Sequence, residues 1–272
     1  MTSDPARRSG DASYDARRHM IDGGPVVEPT ASRGRPGLAD ILRLIRVHHW
    51  PKNLLVLIPL VTAQLASEAT QLRQAVTAFV AFSLVASGTY VVNDVLDRGA
   101  DRAHPEKRLR PIAAGIISTR IGWLVALGLL AGGFALSALL PGGFALSLLG
   151  YLGLSLLYSL ALKRLLLIDV VTLAALFVLR IIAGAEAIEV SVSFWLFAFS
   201  LFFFSSLALT KRCSELHNLV VAEEEGSHGR AYRVTDLPIL QSIGVAAGVI
   251  SVLVVALYID DPATAELYSR PD

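Results

Sequence analysis

The sequence predicts an all-α fold, a polytopic membrane helical bundle of about seven spans. Three observations predict it. Of the 272 residues, 54% are hydrophobic and only 17% charged, less charge than an ordinary soluble domain carries. Several runs of about 18 or more mostly apolar residues are long enough to cross a hydrocarbon core about 30 Å thick. The Lys and Arg residues fall overwhelmingly on one side of those runs, as the positive-inside rule requires.

Residues 1–37 hold no apolar stretch and are rich in Arg, Asp, Gly, Pro and Ser. Such a segment cannot bury enough surface to fold. It also lacks the apolar core of a signal peptide, so a disordered cytoplasmic tail is expected. The membrane domain then runs over 38–260. Residues 38–50, LADILRLIRVHHW, set apolar residues at helical spacing with Arg43, Arg46 and His49 among them. This pattern reads as an amphipathic helix in the membrane interface, with Trp50 in the headgroup zone. Pro51 breaks the run, and 53–66, NLLVLIPLVTAQLA, is expected as a short first span. Six further spans are expected at roughly 75–96, 121–140, 143–160, 165–187, 192–210 and 238–259, with the PGG at 141–143 as a tight turn. Residues 261–272 are expected as a short extracytoplasmic tail.

Nine of the 24 Lys and Arg residues lie in 1–52 and six after the second span. Lys163 and Arg164 separate spans four and five, and Lys211, Arg212, Arg230 and Arg233 separate six and seven. Only Arg73 and Arg270 fall on the other side, while Arg180 lies inside a span. The N-terminus and the even-to-odd connections are therefore expected in the cytoplasm. The net charge of +1 identifies no partner, and nucleic acid is not expected. The single Cys213 excludes an internal disulfide. His48, His49, His104 and His217 have no metal-ligand spacing.

Residues 90–115, YVVNDVLDRGADRAHPEKRLRPIAAG, end one span in a knot of acid and base. On a continued helix Asp94, Asp97 and Asp101 are i, i+3 and i+7 and share a face. Hard carboxylate oxygens suit Mg²⁺, which binds through a few carboxylates plus substrate phosphates. Asn93 adds a carbonyl oxygen or a hydrogen bond, and Lys107, Arg108 and Arg110 can hold the remaining phosphate oxygens. The bland alternative is a solvated helix end. Asp169 and Arg180 are costly inside a span. They share a face yet lie about 16 Å apart along it, so no direct pair is expected. Asp169 is expected to orient Lys163 or a substrate hydroxyl, and a structural interhelical contact is the alternative for both. Lys52 with Asn53 reads either as a site or as an interfacial anchor with a snorkelling lysine. Lys163 and Arg164 are also what positive-inside topology supplies. Lys211 and Glu215, i and i+4, allow a plain helix-surface pair. Glu223–Glu225 reads as a solvated loop.

The stretch 93–101 resembles the signature of the UbiA-type superfamily of intramembrane transferases, N-D-x-x-D-x-x-x-D, at all four positions, and 107–115 is similar to the basic segment that follows it. The resemblance covers about 38–260. It implies a bundle with a cytoplasm-facing central cavity, Mg²⁺, and a diphosphate leaving group. Asn93, Asp94, Asp97 and Asp101 are then the catalytic residues, and the three aspartates are the metal ligands. Members that transfer prenyl groups carry a second aspartate motif after span six, which residues 210–236 lack. Three other stretches resemble the polyprenyl (decaprenyl)-phosphate phosphoribosyltransferase branch: Arg46, Trp50, Lys52 and Asn53; Tyr158 and Lys163 with Asp169 and Arg180; and Lys211, Arg212 and Glu215. That branch implies transfer of 5-phosphoribosyl from phosphoribosyl diphosphate to a long-chain polyprenyl phosphate, a step that in actinobacteria leads towards cell-wall arabinan. It also implies a bacterial inner membrane. Prenyl transfer from a prenyl diphosphate to an aromatic acceptor is the alternative. Members of this type usually have nine spans, so the last two are expected to be missing here, and a truncated, inactive lipid-binding protein is a further alternative. A homo-oligomer stays open.

Overall fold

The structure, a computed structural model, describes residues 37–221 and 232–261. The expected tail over 1–37 (Gly37 excepted), the run Glu223–Glu225 and the tail beyond Asp261 lie outside the described residues. Every element among the described residues is helical. In chain order they are α1 (Leu38–Ile45), a 3-10 segment (Val47–Leu57), α2 (Ile58–Thr62), α3 (Ala69–Leu96), α4 (Arg98–Ala103), α5 (Thr119–Ser137), α6 (Gly142–Leu160), α7 (Ile168–Ala187), α8 (Phe194–Val221) and α9 (Leu237–Asp260). Short 3-10 turns lie at Lys107–Leu109, Leu162–Arg164 and Val234–Asp236.

Six helices, α3 and α5 to α9, are long and apolar enough to cross a bilayer. They coincide with six of the seven expected spans. Burial sorts them into centre and rim. Over their most apolar windows α3 and α7 are 61% buried, α8 22%, and α5, α6 and α9 17%. The rim helices turn Leu124, Leu127, Leu146, Val249 and Val252 outwards, the surface expected where the solvent is lipid. The central helix α3 packs on α5, α6 and α7, and the neighbours α6, α7, α8 and α9 follow one another in space.

The expected first span is where sequence and structure differ. Residues 53–66 form no α-helical span. The chain is wound as a 3-10 helix to Leu57 and continues as the short α2, with Pro59 in its first turn, where a missing N–H costs nothing. This segment still follows α3 through most of its length. Arg46 meets Asp94, Trp50 meets Ser87, Asn53 meets Ser83, and Leu60 packs with Ala75. From Asp94 to Ala75, α3 covers about 28 Å at about 1.5 Å per residue. Arg46 to Leu60 spans that distance only at about 2 Å per residue, the rise of a 3-10 helix. Tighter winding thus takes a run too short for an α-helical span to the same depth. Trp50 is tied to the bundle, its indole N–H donating to Ser87 Oγ at 3.0 Å.

Two local features seat this segment. The amphipathic helix expected over 38–50 stops at Ile45, because Arg46 is left-handed (φ 53°, ψ 49°) and its N–H bonds back to the Arg43 carbonyl. On the other side α7 offers Gly184, where an added Cβ would lie 1.9 Å from the Val56 carbonyl oxygen. Only a glycine admits that approach.

Candidate active site

The polar side chains of the bundle gather in two clusters at one end and a third deep inside. The first is built on the end of α3. Backbone bonds of 2.8 Å run from the Asp97 N–H to the Asn93 carbonyl and from the Asp101 N–H to the Asp97 carbonyl. They carry helical phase across the break between α3 and α4. Asp94 and Asp101 therefore share a face, as their spacing predicts, and one Arg110 nitrogen, Nη1, reaches both. It donates to Asp94 Oδ1 at 3.2 Å and to Asp101 Oδ2 at 2.7 Å. Arg46 Nη2 donates to the same Asp94 Oδ1 at 2.5 Å, and its guanidinium lies over the Tyr90 ring at 4.9 Å. Asp97 is turned elsewhere: its carboxylate is 45% exposed, with Lys163 Nζ at 3.6 Å.

The basic loop after α4 is pinned by Arg102, whose Nε donates to the Ala113 carbonyl at 2.9 Å. Arg110 is thereby brought to the aspartates. Lys107 and Arg108 are not. Both are exposed, and Arg108 Nε bonds the Pro105 carbonyl of its own loop at 3.1 Å. Arg164 is exposed as well.

The second cluster centres on Arg212, a fully buried guanidinium of α8. It donates to Asp169 Oδ2 at 2.7 Å, to Glu215 Oε2 at 2.6 Å and to the Tyr158 hydroxyl at 3.2 Å. The Tyr232 hydroxyl donates to the other Asp169 oxygen and accepts from the Leu167 N–H at 3.1 Å. Asp169 thus has Arg212 and Tyr232 as partners rather than Lys163, and Glu215 pairs with Arg212. Burial, then the bond to Asp169 and its charge, push the Tyr232 phenol far above its ordinary pKa, so it remains a donor.

The deep cluster belongs to Arg180. Its Nε donates to Asn53 Oδ1 at 3.0 Å and its Nη2 to the Tyr151 hydroxyl at 3.3 Å, while Nη1 bonds the Leu176 carbonyl. Phe82, Tyr151 and Phe177 face it at 5.4, 5.0 and 5.1 Å. Cation–π contact of this kind is favourable when desolvated. Asn53 also donates to Ser83 Oγ at 3.1 Å, so it is a buried link between α3 and α7. Ser83 lies about 16 Å from Asp94 along α3, and Arg180 about 16 Å from Asp169 along α7. The first two clusters therefore share one level, and Arg180 lies a bilayer half-depth below them. Lys52 stands within electrostatic reach of Lys211, Arg46 and Arg180. Among the described residues neither Lys52 nor Lys211 makes an ion pair.

Among the described residues no three Asp, Glu, His or Cys side chains gather around one metal position, since each aspartate is turned onto a cation. The donor set still fits a hard cation. Three carboxylates lie within residues 94–101, and the Asn93 Oδ1 beside them is buried with no hydrogen-bond partner, a cost that a ligand would remove.

Residues 55–259 match the model of the UbiA prenyltransferase family. The chain belongs to this family. An uncharacterized protein of Sinorhizobium fredii, y4nM, is 40% identical over 233 residues, 85% of this chain and 45% of the relative. Nodulation protein NoeC of Azorhizobium caulinodans is 36% identical over 223 residues, 81% of this chain and 72% of the relative. Decaprenyl-phosphate phosphoribosyltransferase of Mycobacterium tuberculosis is 34% identical over 214 residues, 74% of this chain and 66% of the relative. The match to y4nM thus takes in less than half of that relative's length. In fold, the chain is similar to a UbiA homologue from Archaeoglobus fulgidus solved with DMAPP and Mg²⁺. The TM-score is 0.61 at 23% identity, over 86% of this chain and 88% of that one. The UbiA chain is thus an integral membrane protein of the fold class its sequence predicts.

Sequence reasoning missed Tyr232, Tyr151 and Ser83 in these clusters. Only Tyr232 left a signal: a lone aromatic residue in the polar run HGRAYRVTD, where a ring with a polar tip has reason to be buried.

Proposed function

We propose that the protein transfers 5-phosphoribosyl from phosphoribosyl diphosphate to a long-chain polyprenyl phosphate and releases diphosphate. The observation that carries this reading is a surplus of cations in and just below the aspartate cluster. Arg46, Arg110 and Lys163 already pair with the three aspartates, and among the described residues the exposed Lys52 and Lys211 make no ion pair. A donor with a diphosphate and a 5-phosphate, met by a lipid phosphate, calls for that surplus. A prenyl diphosphate and an aromatic acceptor bring fewer anionic groups and call for less of it. The similarity to decaprenyl-phosphate phosphoribosyltransferase supports the same choice.

Asp94, Asp97 and Asp101, with Asn93 beside them, would hold Mg²⁺, which when bound makes diphosphate a better leaving group. The remaining work falls to the chain. The bond from ribose C1 to the diphosphate oxygen breaks, the diphosphate departs with the electron pair, and a lipid phosphate oxygen bonds C1. That phosphate is already ionised near neutral pH, so no strong general base is needed. Arg46, Arg110, Lys163, Lys52 and Lys211 place the phosphates, which is catalysis by position and fixed charge. The buried cluster of Arg212, Asp169, Glu215, Tyr158 and Tyr232 holds the start of α7 and the end of α8 beneath them. The Lys and Arg distribution supports a cytoplasmic placement of this end, the resemblance implies a bacterial inner membrane, and both belong to the same proposal.

The test is a transfer assay on purified protein in detergent with Mg²⁺. Labelled phosphoribosyl diphosphate with polyprenyl phosphate is expected to put label in the lipid phase. Labelled prenyl diphosphate with an aromatic acceptor is expected to give no product. The reverse outcome would assign prenyl transfer instead.

A further inference from the structure

We propose that Arg46 and Arg110 are positioning residues that couple metal capture to diphosphate capture, so that neither binds tightly without the other. The inference rests on Asp94, Asp97 and Asp101 being the metal ligands. It starts from one oxygen. Asp94 Oδ1 accepts from both Arg46 at 2.5 Å and Arg110 at 3.2 Å, and the same Arg110 nitrogen holds Asp101 Oδ2 at 2.7 Å. Asp94 is 3% exposed and Asp101 4%, so water competes little for these oxygens. A Mg²⁺ or Mn²⁺ ion bonds carboxylate oxygen at roughly 2 Å and competes with the guanidinium groups for Asp94 Oδ1 and Asp101 Oδ2.

A bare metal ion therefore meets two obstacles. It must win Asp94 Oδ1 and Asp101 Oδ2 from the arginines or settle for the remaining oxygens. It must also sit beside two positive charges whose backbones are held close to the aspartates. Arg46 is fixed in the left-handed turn ahead of the 3-10 segment, and Arg110 follows a loop pinned by Arg102 on Ala113. A metal ion arriving with diphosphate meets neither obstacle. The phosphate oxygens offer each displaced guanidinium a bidentate partner, and their charge cancels the repulsion. The carboxylates pass from arginine to metal while the arginines pass from carboxylate to phosphate. Linkage makes the effect reciprocal: the metal ion raises affinity for diphosphate by the same factor.

The experiment is equilibrium dialysis of radioactive Mn²⁺ against the full chain in detergent, with and without inorganic pyrophosphate. Wild type is expected to bind Mn²⁺ weakly alone and about tenfold or more tightly with pyrophosphate. Arg110→Gln is expected to bind Mn²⁺ alone about tenfold more tightly than wild type, with little further gain from pyrophosphate. Arg46→Gln should move the same way, and Arg110→Lys, which keeps the charge, should stay near wild type. Loss of structure would weaken Mn²⁺ binding in these variants, the opposite of the expected direction. Wild type binding Mn²⁺ alone as tightly as Arg110→Gln would overturn the coupling, and so would absence of Mn²⁺ binding in every condition. Pyrophosphate is common to both donor classes, so failure of the phosphoribosyl assignment would leave this result standing.

Discussion

Gly184→Ala tests whether the 3-10 segment is seated as described, because the structure fixes the size of the insult. The added Cβ would lie 1.9 Å from the Val56 carbonyl oxygen and 2.8 Å from its carbonyl carbon. Ordinary contact begins at 3.4 Å, so the two backbones must separate by about 1.5 Å, and neither neighbour is a flexible side-chain tip that could yield. Overpacking of a core costs about 1–3 kcal/mol. The displaced segment carries Arg46, Lys52 and Asn53, which links the packing fault to the aspartates. A misplacement of about 1 Å at remote packing can cost about 100-fold in rate. The assay pairs thermal unfolding in detergent with transfer kinetics. The expected result is a lower unfolding midpoint and a fall in kcat/KM beyond what the residual folded fraction explains. A variant with the wild-type midpoint and wild-type kinetics would refute the close approach of the 3-10 segment to α7.

Three other outcomes are expected. Asp94→Asn and Asp97→Asn each abolish transfer while the protein stays monodisperse and folded, and robust turnover by either removes these residues from the metal site. Lys163→Ala, which takes the cation from Asp97, raises the donor KM about tenfold or more, the worth of one charge-assisted contact; unchanged KM and kcat return Lys163 to a topological role. Arg212→Met leaves the fully buried Asp169 without its counter-ion and destabilises the protein by about 3–5 kcal/mol, whereas Asp169→Leu with Arg212→Met recovers most of that loss, as read from unfolding midpoints.

The six α-helical spans were legible because an apolar run of bilayer length has few other fates in a chain this poor in charge. The segment from Arg46 to Leu60 was only half legible. Its apolarity was plain, but the length rule assumes the α-helical rise, and a 3-10 helix needs fewer residues for the same depth. In the candidate site, the shared face of Asp94 and Asp101 survives because Asn93, Asp97 and Asp101 keep helical backbone bonds past the end of α3, while Asp97, at the break, turns to Lys163 instead. Their counter-ions were not legible. Arg46 lies on another element, and of the three basic residues in 107–110 only the loop geometry selects Arg110. Asp169 shows the same limit. A buried carboxylate had to find a partner, but Arg212 and Tyr232 are remote in sequence and only packing brings them in. Arg180 likewise takes Asn53 and Tyr151 from two other elements.

In the proposed reaction a phosphoribosyl diphosphate is cleaved at the aspartates with the lipid phosphate as acceptor. The most direct measurement is pyrophosphate release from phosphoribosyl diphosphate by wild type and by Asp97→Asn, each with and without polyprenyl phosphate and Mg²⁺. Release is expected only from wild type with both lipid and Mg²⁺ present, in step with label entering the lipid phase. Release that is indifferent to the lipid, or that persists in Asp97→Asn, would contradict that reaction.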